Sequence, residues 1–263
     1  MLIDTHAHPE QADFDNDRDT IINDSFSNGL DAIIAVGTTI ESSRENIELS
    51  NKYPRVFPTA GMHPNDAKME IDNDYRERFE DLVSKNLEKI VAIGECGLDI
   101  FTHPNNKNDS GSIKAQIELF EFQLGIAEKY NLPVIIHCRN GWREIFGIID
   151  KYNLPGGVFH CWTGGVNELN EAQKRGFYVA FGGILTFKNA GEILDAAKIA
   201  KLDLVVLETD SPFLAPEGLR GSRNEPKNVR IVAEFLAKVR EQEIGYIEDI
   251  TSQNAKKLFR LNI

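Results

Sequence analysis

The chain has 263 residues, 29 of them basic and 41 acidic, which gives a formal net charge of −12 at neutral pH. This length is ordinary for one α/β barrel and can bury a large core. The negative balance repels polyanions and argues against a broad basic stripe that coats DNA, so a phosphate substrate would need metal ions and a few arginines. The N-terminus shows no basic segment followed by an apolar run, and no apolar stretch reaches membrane length. We expect a soluble, cytoplasmic protein with no membrane partner and no obligate protein partner.

The chain alternates short apolar runs with longer amphipathic ones, which predicts β and α units in turn. After a first strand that begins at Leu2, the predicted strands cover 31–36, 56–60, 90–94, 133–136, 157–159, 177–181 and 204–209. The predicted helices cover 16–29, 40–52, 74–87, 113–130, 226–241 and 247–261. Eight units without a Pro- or Ser-rich linker predict a single domain over 1–263. Its expected fold is α/β, a (β/α)8 TIM-type barrel, regular or irregular, with an additional C-terminal helix.

The first strand ends in two histidines. Side chains alternate faces along a strand, so Leu2, Asp4, His6 and His8 are predicted to share one face. Two imidazoles at i and i+2 can bind one metal ion, since neutral imidazole suits zinc and similar ions. Taken alone, the motif is equally typical of two surface histidines that follow a short strand.

Later strands also end in side chains that can bind metal, where active-site residues of such barrels lie. The predicted ligands are His6, His8, Glu95, His137, His160 and Asp210. The alternation of side chains along each strand agrees with these ligands, because alternate residues lead to a ligand on the same inward face. The predicted inward faces are Val91, Ile93 and Glu95 in the fourth strand, Pro133, Ile135 and His137 in the fifth, and Leu204, Val206, Glu208 and Asp210 in the eighth. His63 also follows a strand, whereas His103 lies in a polar loop over 102–112.

Four imidazoles and two carboxylates exceed the four ligands of one tetrahedral ion. We therefore predict two divalent ions about 3.5–4 Å apart, bridged by a carboxylate. His6, His8 and Asp210 would hold the first ion, because strand eight lies beside strand one in a closed barrel. His137 and His160 would hold the second, and Glu95, between the pairs, would bridge. Asp4 and Glu208 lie deeper and would either orient ligand imidazoles or pair with each other or with water.

The three cysteines, Cys96, Cys138 and Cys161, have no C-x-x-C spacing, and each follows a predicted ligand. Neighbouring residues on a strand face opposite sides, so the thiols are expected to point outward and pack under helices. This placement is preferred to a zinc–thiolate site.

A resemblance to a known family follows from motifs spread over nearly the whole chain. They read, in order, LIDTHAH, GMHP, GECGLD, PVIIHCR, FHCWTGG, LETDSPFLAP, GSRNEP and SQNAKKLF. This series resembles the TatD family of metal-dependent deoxyribonucleases, and His-x-His and ETDSP are its most specific parts. Members of that family are 3′-to-5′ exonucleases on DNA, some on RNA, that use a divalent metal.

The resemblance implies the same six ligands and places His63 in the pocket near the substrate phosphate; a merely structural His in the Gly-x-His-Pro turn is the alternative. Two departures are visible. Ser222 stands where the family usually has lysine, and Ile100 and Phe101 stand where it tends to have tyrosines. A base-stacking role at that second position would fall to Phe101.

The predicted chemistry is metal-assisted phosphodiester hydrolysis with Mg²⁺, Mn²⁺ or Zn²⁺. The predicted substrate is DNA, with RNA as a second candidate. Asp210, Glu95 and His63 are the predicted catalytic residues, and Asp210 orients or deprotonates the attacking water. His63, Arg139 and Arg223 are the predicted substrate contacts, because guanidinium groups match phosphate oxygens. Both arginines could equally form ordinary loop salt bridges.

Three other interpretations remain open at this point. The same metals could hydrolyse a different bond, such as a cyclic amide, an amine or the ester of a D-aminoacyl-tRNA. The barrel could be a non-catalytic binding protein, against which the full ligand set argues. The metal could be purely structural, which a barrel of this size does not need.

Overall fold

A computed structural model describes residues 1–68, 73–100 and 113–263. Its strands are β1 Leu2–Ala7, β2 Leu30–Ala35, β3 Val56–Pro58, β4 Ile93–Asp99, β5 Val134–Arg139, β6 Gly157–Phe159, β7 Tyr178–Phe181 and β8 Val205–Leu207. Its helices are α1 Arg18–Ser27, α2 Ile40–Lys52, α3 Asn73–Lys85, α4 Ile113–Tyr130, α5 Trp142–Ile149, α6 Val166–Lys174, α7 Gly191–Ile199, α8 Val229–Val239 and α9 Ile244–Phe259. The predicted loop over 102–112, with His103, and the stacking position Phe101 lie outside the described residues.

The strands form two parallel sheets, β1-β2-β3 and β4-β5-β6-β7-β8. A parallel bridge between Ala60 and Ile93 joins β3 to β4, and a bridge between Ala7 and Ser211 joins β1 to the chain beyond β8. Main-chain hydrogen bonds cross both seams, including Asp210 N–H to the His6 carbonyl at 2.8 Å. The predicted α/β barrel of TIM type is confirmed, in its irregular form.

Apolar side chains form a cluster inside the barrel and a second one between the strands and helices. The inner cluster contains Ile3, Ile34, Ile135 and Val206. Helix α9 adds Ala255, Leu258 and Phe259 to it, and the residues after the helix add Leu261. The Asn254 amide donates to the carbonyls of Leu202 and Val205, and the Ser252 hydroxyl donates to that of Met1. Helix α9 therefore closes the barrel where the strands begin, which leaves the opposite end for the site.

The predicted register of β4 is wrong at Ile93, which packs in the helix-side cluster, while Ala92 packs inside the barrel. Ile93 pairs with Val134 and Cys96 pairs with Ile136, so two residues of β4 lie between these pairs where β5 has only one. This extra residue is a β-bulge, and it turns Glu95 toward the barrel axis although Ile93 faces the helices. Strand β4 also continues past Glu95, whereas the prediction ended it at 94.

Strand β1 shows the same effect, because Leu2 packs in the helix-side cluster and Ile3 inside. The pairing of β1 with β2 shifts between Leu2 and Ile3 and again between Asp4 and Ala7. Leu2 and His6 therefore do not share a face as predicted. Helices α5, α6 and α7, of 8 or 9 residues each, had no counterpart among the predicted elements.

Candidate metal centre

The six predicted ligands meet at the carboxyl end of the barrel. A cavity of about 510 Å³ opens there, and its described lining residues include His8, His63, Glu95, His137, His160 and Asp210. Strands β1, β4 and β5 carry His6, Glu95 and His137, while His160 directly follows β6. The prediction that strand ends bring these side chains together agrees with this placement.

Glu95 lies at the centre, and its two carboxylate oxygens face different histidines. Oε2 is 3.3 Å from His6 Nε2 and 4.0 Å from His8 Nε2. Oε1 is 2.7 Å from His160 Nε2 and 2.8 Å from His137 Nδ1. A carboxylate divided in this way has the arrangement of a bridge between two cation positions.

Asp210 completes the side of the site formed by β1. Its Oδ1 is 3.4 Å from His8 Nε2 and 3.7 Å from His6 Nε2. The residue lies beyond the end of β8 with a left-handed backbone, φ 58°, and its N–H donates to the His6 carbonyl. Burial raises the pKa of its carboxyl, but His8, His6 and His160 outweigh burial and the pKa is lowered overall. Asp210 is thus ionised at neutral pH.

The group behind each ring decides which nitrogen can bind a metal. His8 Nδ1 lies 3.0 Å from the Val36 carbonyl, which can only accept, so Nδ1 carries a proton and Nε2 is the nitrogen that can bind a metal. His137 has Asp99 behind it, with Nε2 3.5 Å from Oδ2, and His160 has Glu208, with Nδ1 3.8 Å from Oε1. Such carboxyl groups behind the rings are typical of histidines that ligate metal.

Asp99 was not among the predicted site residues. Its signal was present in the sequence, since Glu95, Gly97 and Asp99 are two residues apart along one strand. Glu208 lies behind His160, which agrees with the first of its two predicted roles, the orientation of a ligand imidazole. Asp4 instead accepts from the backbone N–H groups of His6 and Thr209 and from the Thr209 hydroxyl, and burial raises its pKa to about 7.

His63 differs from the other histidines. The N–H of Asn65 donates to its Nδ1 at 3.2 Å, so the neutral ring carries its proton on Nε2. That Nε2 is 3.3 Å from Glu95 Oε1 and can donate to it. The atoms of His63, Glu95 and His137 lie close enough to hold an ion, as do those of His6, His8 and Glu95 and those of His6, His160 and Glu208. The tautomer of His63 favours the role of a hydrogen-bond donor.

The crowding of ring nitrogens tests whether these residues fit metal ions. His6 Nε2 is 3.2 Å from His8 Nε2, and His137 Nδ1 is 3.1 Å from His160 Nε2. Burial, and then His160, lower the pKa of His6 to about 4, so its ring is neutral. Burial also lowers the pKa of His8 and His137, but nearby carboxylates outweigh it: Asp210 and Glu10 raise the pKa of His8 to about 10, and Asp99 and Glu95 raise that of His137 to about 9. A proton therefore lies between the facing nitrogens of each pair, and a divalent cation can take its place. The donor set of imidazole and carboxylate therefore fits divalent metal ions.

The two predicted arginines lie in different surroundings. Arg139 is half exposed, lines the cavity and has Nη1 3.9 Å from Asp99 Oδ2. Arg223 is not among the described lining residues; it forms a bidentate pair with Asp17, with bonds of 2.8 and 2.6 Å, and lies over the Phe14 ring. Its role as a phosphate contact stays a prediction, and its guanidinium already has a carboxylate partner.

The cysteines are free, and Cys96 packs in the helix-side cluster as expected. Cys138 lies in that cluster and also lines the cavity. Cys161 lines the cavity too, because its left-handed backbone, φ 44°, interrupts the alternation on which the outward prediction depended. Burial raises the pKa of the Cys161 thiol well above its usual range, so it is not a thiolate.

A buried group of histidines and carboxylates at the carboxyl end of a parallel barrel defines the class of metal-dependent hydrolases. Comparison with known proteins gives the family. The sequence pattern of TatD-related DNases matches residues 3–260, so the chain belongs to the TatD family. None of the described helices is both long and apolar enough to cross a membrane.

Two relatives and one solved structure resemble the chain over nearly its full length. An uncharacterized metal-dependent hydrolase of Bacillus subtilis, YabD, is 36% identical over 264 residues, covering 100% of both chains. The 3′-5′ ssDNA/RNA exonuclease TatD of Citrobacter rodentium is 31% identical, covering 100% of this chain and 99% of its own. The crystal structure of a TatD homologue from Escherichia coli K12 superposes with a TM-score of 0.91 at 26% identity, covering 99% and 98%.

Proposed function

We propose that this chain is a 3′-to-5′ exonuclease that removes nucleotides from single-stranded DNA, and from RNA, with two divalent ions, Mg²⁺, Mn²⁺ or Zn²⁺. The observation that carries the proposal is the division of the Glu95 carboxylate between two groups of histidines at the floor of an open cavity. The exonuclease name of a relative that is 31% identical supports the choice of substrate. A cytoplasmic location and the single domain over 1–263 stay predictions.

In this proposal His6, His8 and Asp210 would hold one ion, His137 and His160 would hold the other, and Glu95 would contribute to both. When bound, the ions would lower the pKa of a water and offset charge on the phosphoryl oxygens. Asp210 is ionised and borders the cavity, so it can orient the attacking water and accept its proton. His63 Nε2 can donate a hydrogen bond to Glu95, or to a phosphate oxygen that lies beside Glu95.

Arg139 would then contact a non-bridging phosphate oxygen, because its guanidinium lines the cavity on the His137 side. The net charge of −12 gives no general attraction for nucleic acid. Affinity would come instead from contacts within the cavity, and we expect it to be modest and to depend weakly on salt.

The test is an assay on a single-stranded oligonucleotide that carries its label at the 5′ end in one preparation and at the 3′ end in another. We expect a ladder from the 5′-labelled strand, immediate release of labelled mononucleotide from the 3′-labelled strand, and no activity with a chelator. Asp210→Asn, purified identically, controls for contaminating nuclease.

Ring opening of a cyclic amide, release of ammonia from an amine, or release of free amino acid from D-aminoacyl-tRNA, with oligonucleotides left intact, would reject the proposal in favour of another bond on the same metals. Intact substrates throughout, with metal bound, would favour a binding protein.

A further inference from the structure

An exposed aromatic ring lies at the mouth of the cavity. Phe213 lines the cavity and keeps 49% of its surface exposed, although it is a large apolar residue. Its ring centroid is 6.0 Å from that of His8, with the planes inclined at 62°. Leu214, 38% exposed, and Ile184 line the same part of the cavity. The mouth therefore has an apolar side next to the proposed reacting centre.

The backbone that carries this ring is held firmly. The N–H of Phe213 donates to the Asp210 carbonyl at 2.8 Å. The buried amide of Asn224 donates to the carbonyls of Phe213 and Thr209, at 2.8 and 2.9 Å, and its backbone N–H donates to that of Pro212. The backbone position of Phe213 is thus tied to that of Asp210. A group stacked on the ring would therefore have a defined place relative to Asp210, the proposed proton acceptor.

A half-exposed aromatic ring contributes less to folding than a buried one, so its place at the mouth suggests a ligand with an apolar face. Single-stranded nucleic acids offer such faces, and stacking on an aromatic side chain contributes about 1–3 kcal/mol per base. The ring of Phe213 lies 6.0 Å from that of His8, so a nucleotide with its phosphate at His8 can place its base, one sugar away, against this ring.

We propose that Phe213 is the surface on which the terminal nucleobase of the bound strand stacks. The inference rests on the proposed exonuclease function and adds to it a residue that binds the base. Stacking tolerates every base, because each has a π face, so the terminal base should be gripped without sequence preference.

The experiment compares two oligonucleotides that differ only at the 3′ end, one with a normal terminal nucleotide and one with an abasic terminal sugar. Phe213→Ala should raise KM for the normal strand about 5- to 150-fold, the equivalent of one stacked base, and leave kcat largely unchanged. It should not change KM for the abasic strand. Phe213→Trp should restore the normal value. Leu219→Ala is the matched control, since Leu219 is 39% exposed in the same loop and is not among the described cavity-lining residues.

A second readout needs no turnover. An oligonucleotide with 2-aminopurine at its 3′ end, joined through a terminal linkage that cannot be hydrolysed, should lose fluorescence on binding to the metal-loaded protein and to Leu219→Ala, but not to Phe213→Ala. Metal content and melting temperature should be equal in all three proteins.

An equal rise in KM for both strands, or undiminished quenching by Phe213→Ala, would overturn the stacking inference and leave the exonuclease function standing. If the unmodified protein cleaves neither strand but its quenching still requires Phe213, the proposed function fails and the stacking inference holds.

Discussion

At the scale of single residues, the histidines of the site are distinguished by the group behind each ring. A carbonyl or carboxyl group lies behind His8, His137 and His160, whereas a backbone N–H points at His63. Where such an acceptor bonds the ring, as the Val36 carbonyl does for His8 at 3.0 Å, it holds a proton on the nitrogen that faces away from the site, and the other nitrogen can bind metal. A donor behind the ring does the opposite, which is why we assign His63 to the substrate or to Glu95.

Asp99 is the carboxylate behind His137, so its removal should affect metal binding. Asp99→Ala should weaken binding of the ion assigned to His137 and His160 about 10- to 100-fold, because it removes the acceptor that orients His137. Asp99→Asn retains an oxygen acceptor and should have a smaller effect. Metal titration by calorimetry measures both, with Asp81→Asn, an exposed carboxylate on α3 that pairs with Lys85, as a control that should leave the affinity unchanged. Identical affinities for Asp99→Ala and the parent would show that His137 needs no orienting group.

Asp210 is the residue on which the proposed chemistry depends most. Asp210→Asn keeps the shape of the side chain but removes its ability to accept a proton, so kcat should fall about 10²- to 10⁴-fold while the oligonucleotide still binds. Single-turnover kinetics and a binding assay with the same strand separate the two effects. If Asp210 only capped the following segment, the variant would lose about 1 kcal/mol of stability and keep its activity.

At the scale of secondary structure, β4 is the element that shapes the site. It carries Glu95 and Asp99, and glycine at 94 and 97 lets it lie close to β5. A Cβ atom on Gly97 would lie 2.0 Å from the His137 carbonyl oxygen, and the backbone there has φ +141°. Close packing of β4 on β5 thus sets the distance between Glu95 and His137.

Gly97→Ala should therefore destabilise the protein by about 2–6 kcal/mol, from backbone strain and overpacking together. Gly125→Ala is the control: Gly125 lies inside α4, a Cβ there meets nothing within 4 Å, and the change should stabilise by about 0.5–1 kcal/mol. Urea unfolding of both variants gives the two values. Equal stability of Gly97→Ala and the parent would mean that β4 and β5 can separate at no cost.

At the scale of the whole molecule, the two ends of the barrel differ in what they contain. Helix α9 fills the end where the strands begin, and the histidines and carboxylates occupy the other. Residues at the filled end contribute to stability, and those at the open end contribute to chemistry.

Phe259→Ala tests this separation, because Phe259 is buried in the inner cluster at the filled end. The cavity left behind should cost about 3–5 kcal/mol of unfolding free energy, while kcat at a temperature where the protein stays folded should be unchanged. Ile263→Ala, at an exposed residue near the same end, should change neither quantity. A large fall in kcat for Phe259→Ala would show that the two ends are coupled.

Metal removal acts on the whole molecule as well. Ions that bind only the folded chain stabilise it by about 2.7 kcal/mol at one hundred times their dissociation constant. For a chain of this size, chelation should lower the melting temperature by about 5–10 °C. Glu95→Ala should melt at the same temperature with and without chelator, because the predicted bridge between the ions is gone. A chelator effect that persists undiminished in Glu95→Ala would contradict the bridging role.

How much could be predicted from the sequence depends on the range of the interaction involved. Alternating apolar patterns and caps act over a few residues, so α2 at Ile40–Lys52, α4 at Ile113–Tyr130 and β6 at Gly157–Phe159 agree with the predicted ranges. The barrel follows from the count of units, and the meeting of the six candidate ligands follows from the rule that parallel strands end at one face.

The tertiary structure alone decided where a bulge interrupts the alternation of inward and outward side chains along a strand. It also decided which group lies behind each histidine ring. The bulges in β1 and β4 arise from pairing with neighbouring strands, so the local pattern placed Leu2 and Ile93 on the wrong face. Asp99 reaches His137, and Asp17 reaches Arg223, across gaps of 38 and 206 residues that only folding closes. Identity and spacing of the chemical groups are local properties of the chain, whereas the partner of each group is a property of the closed barrel.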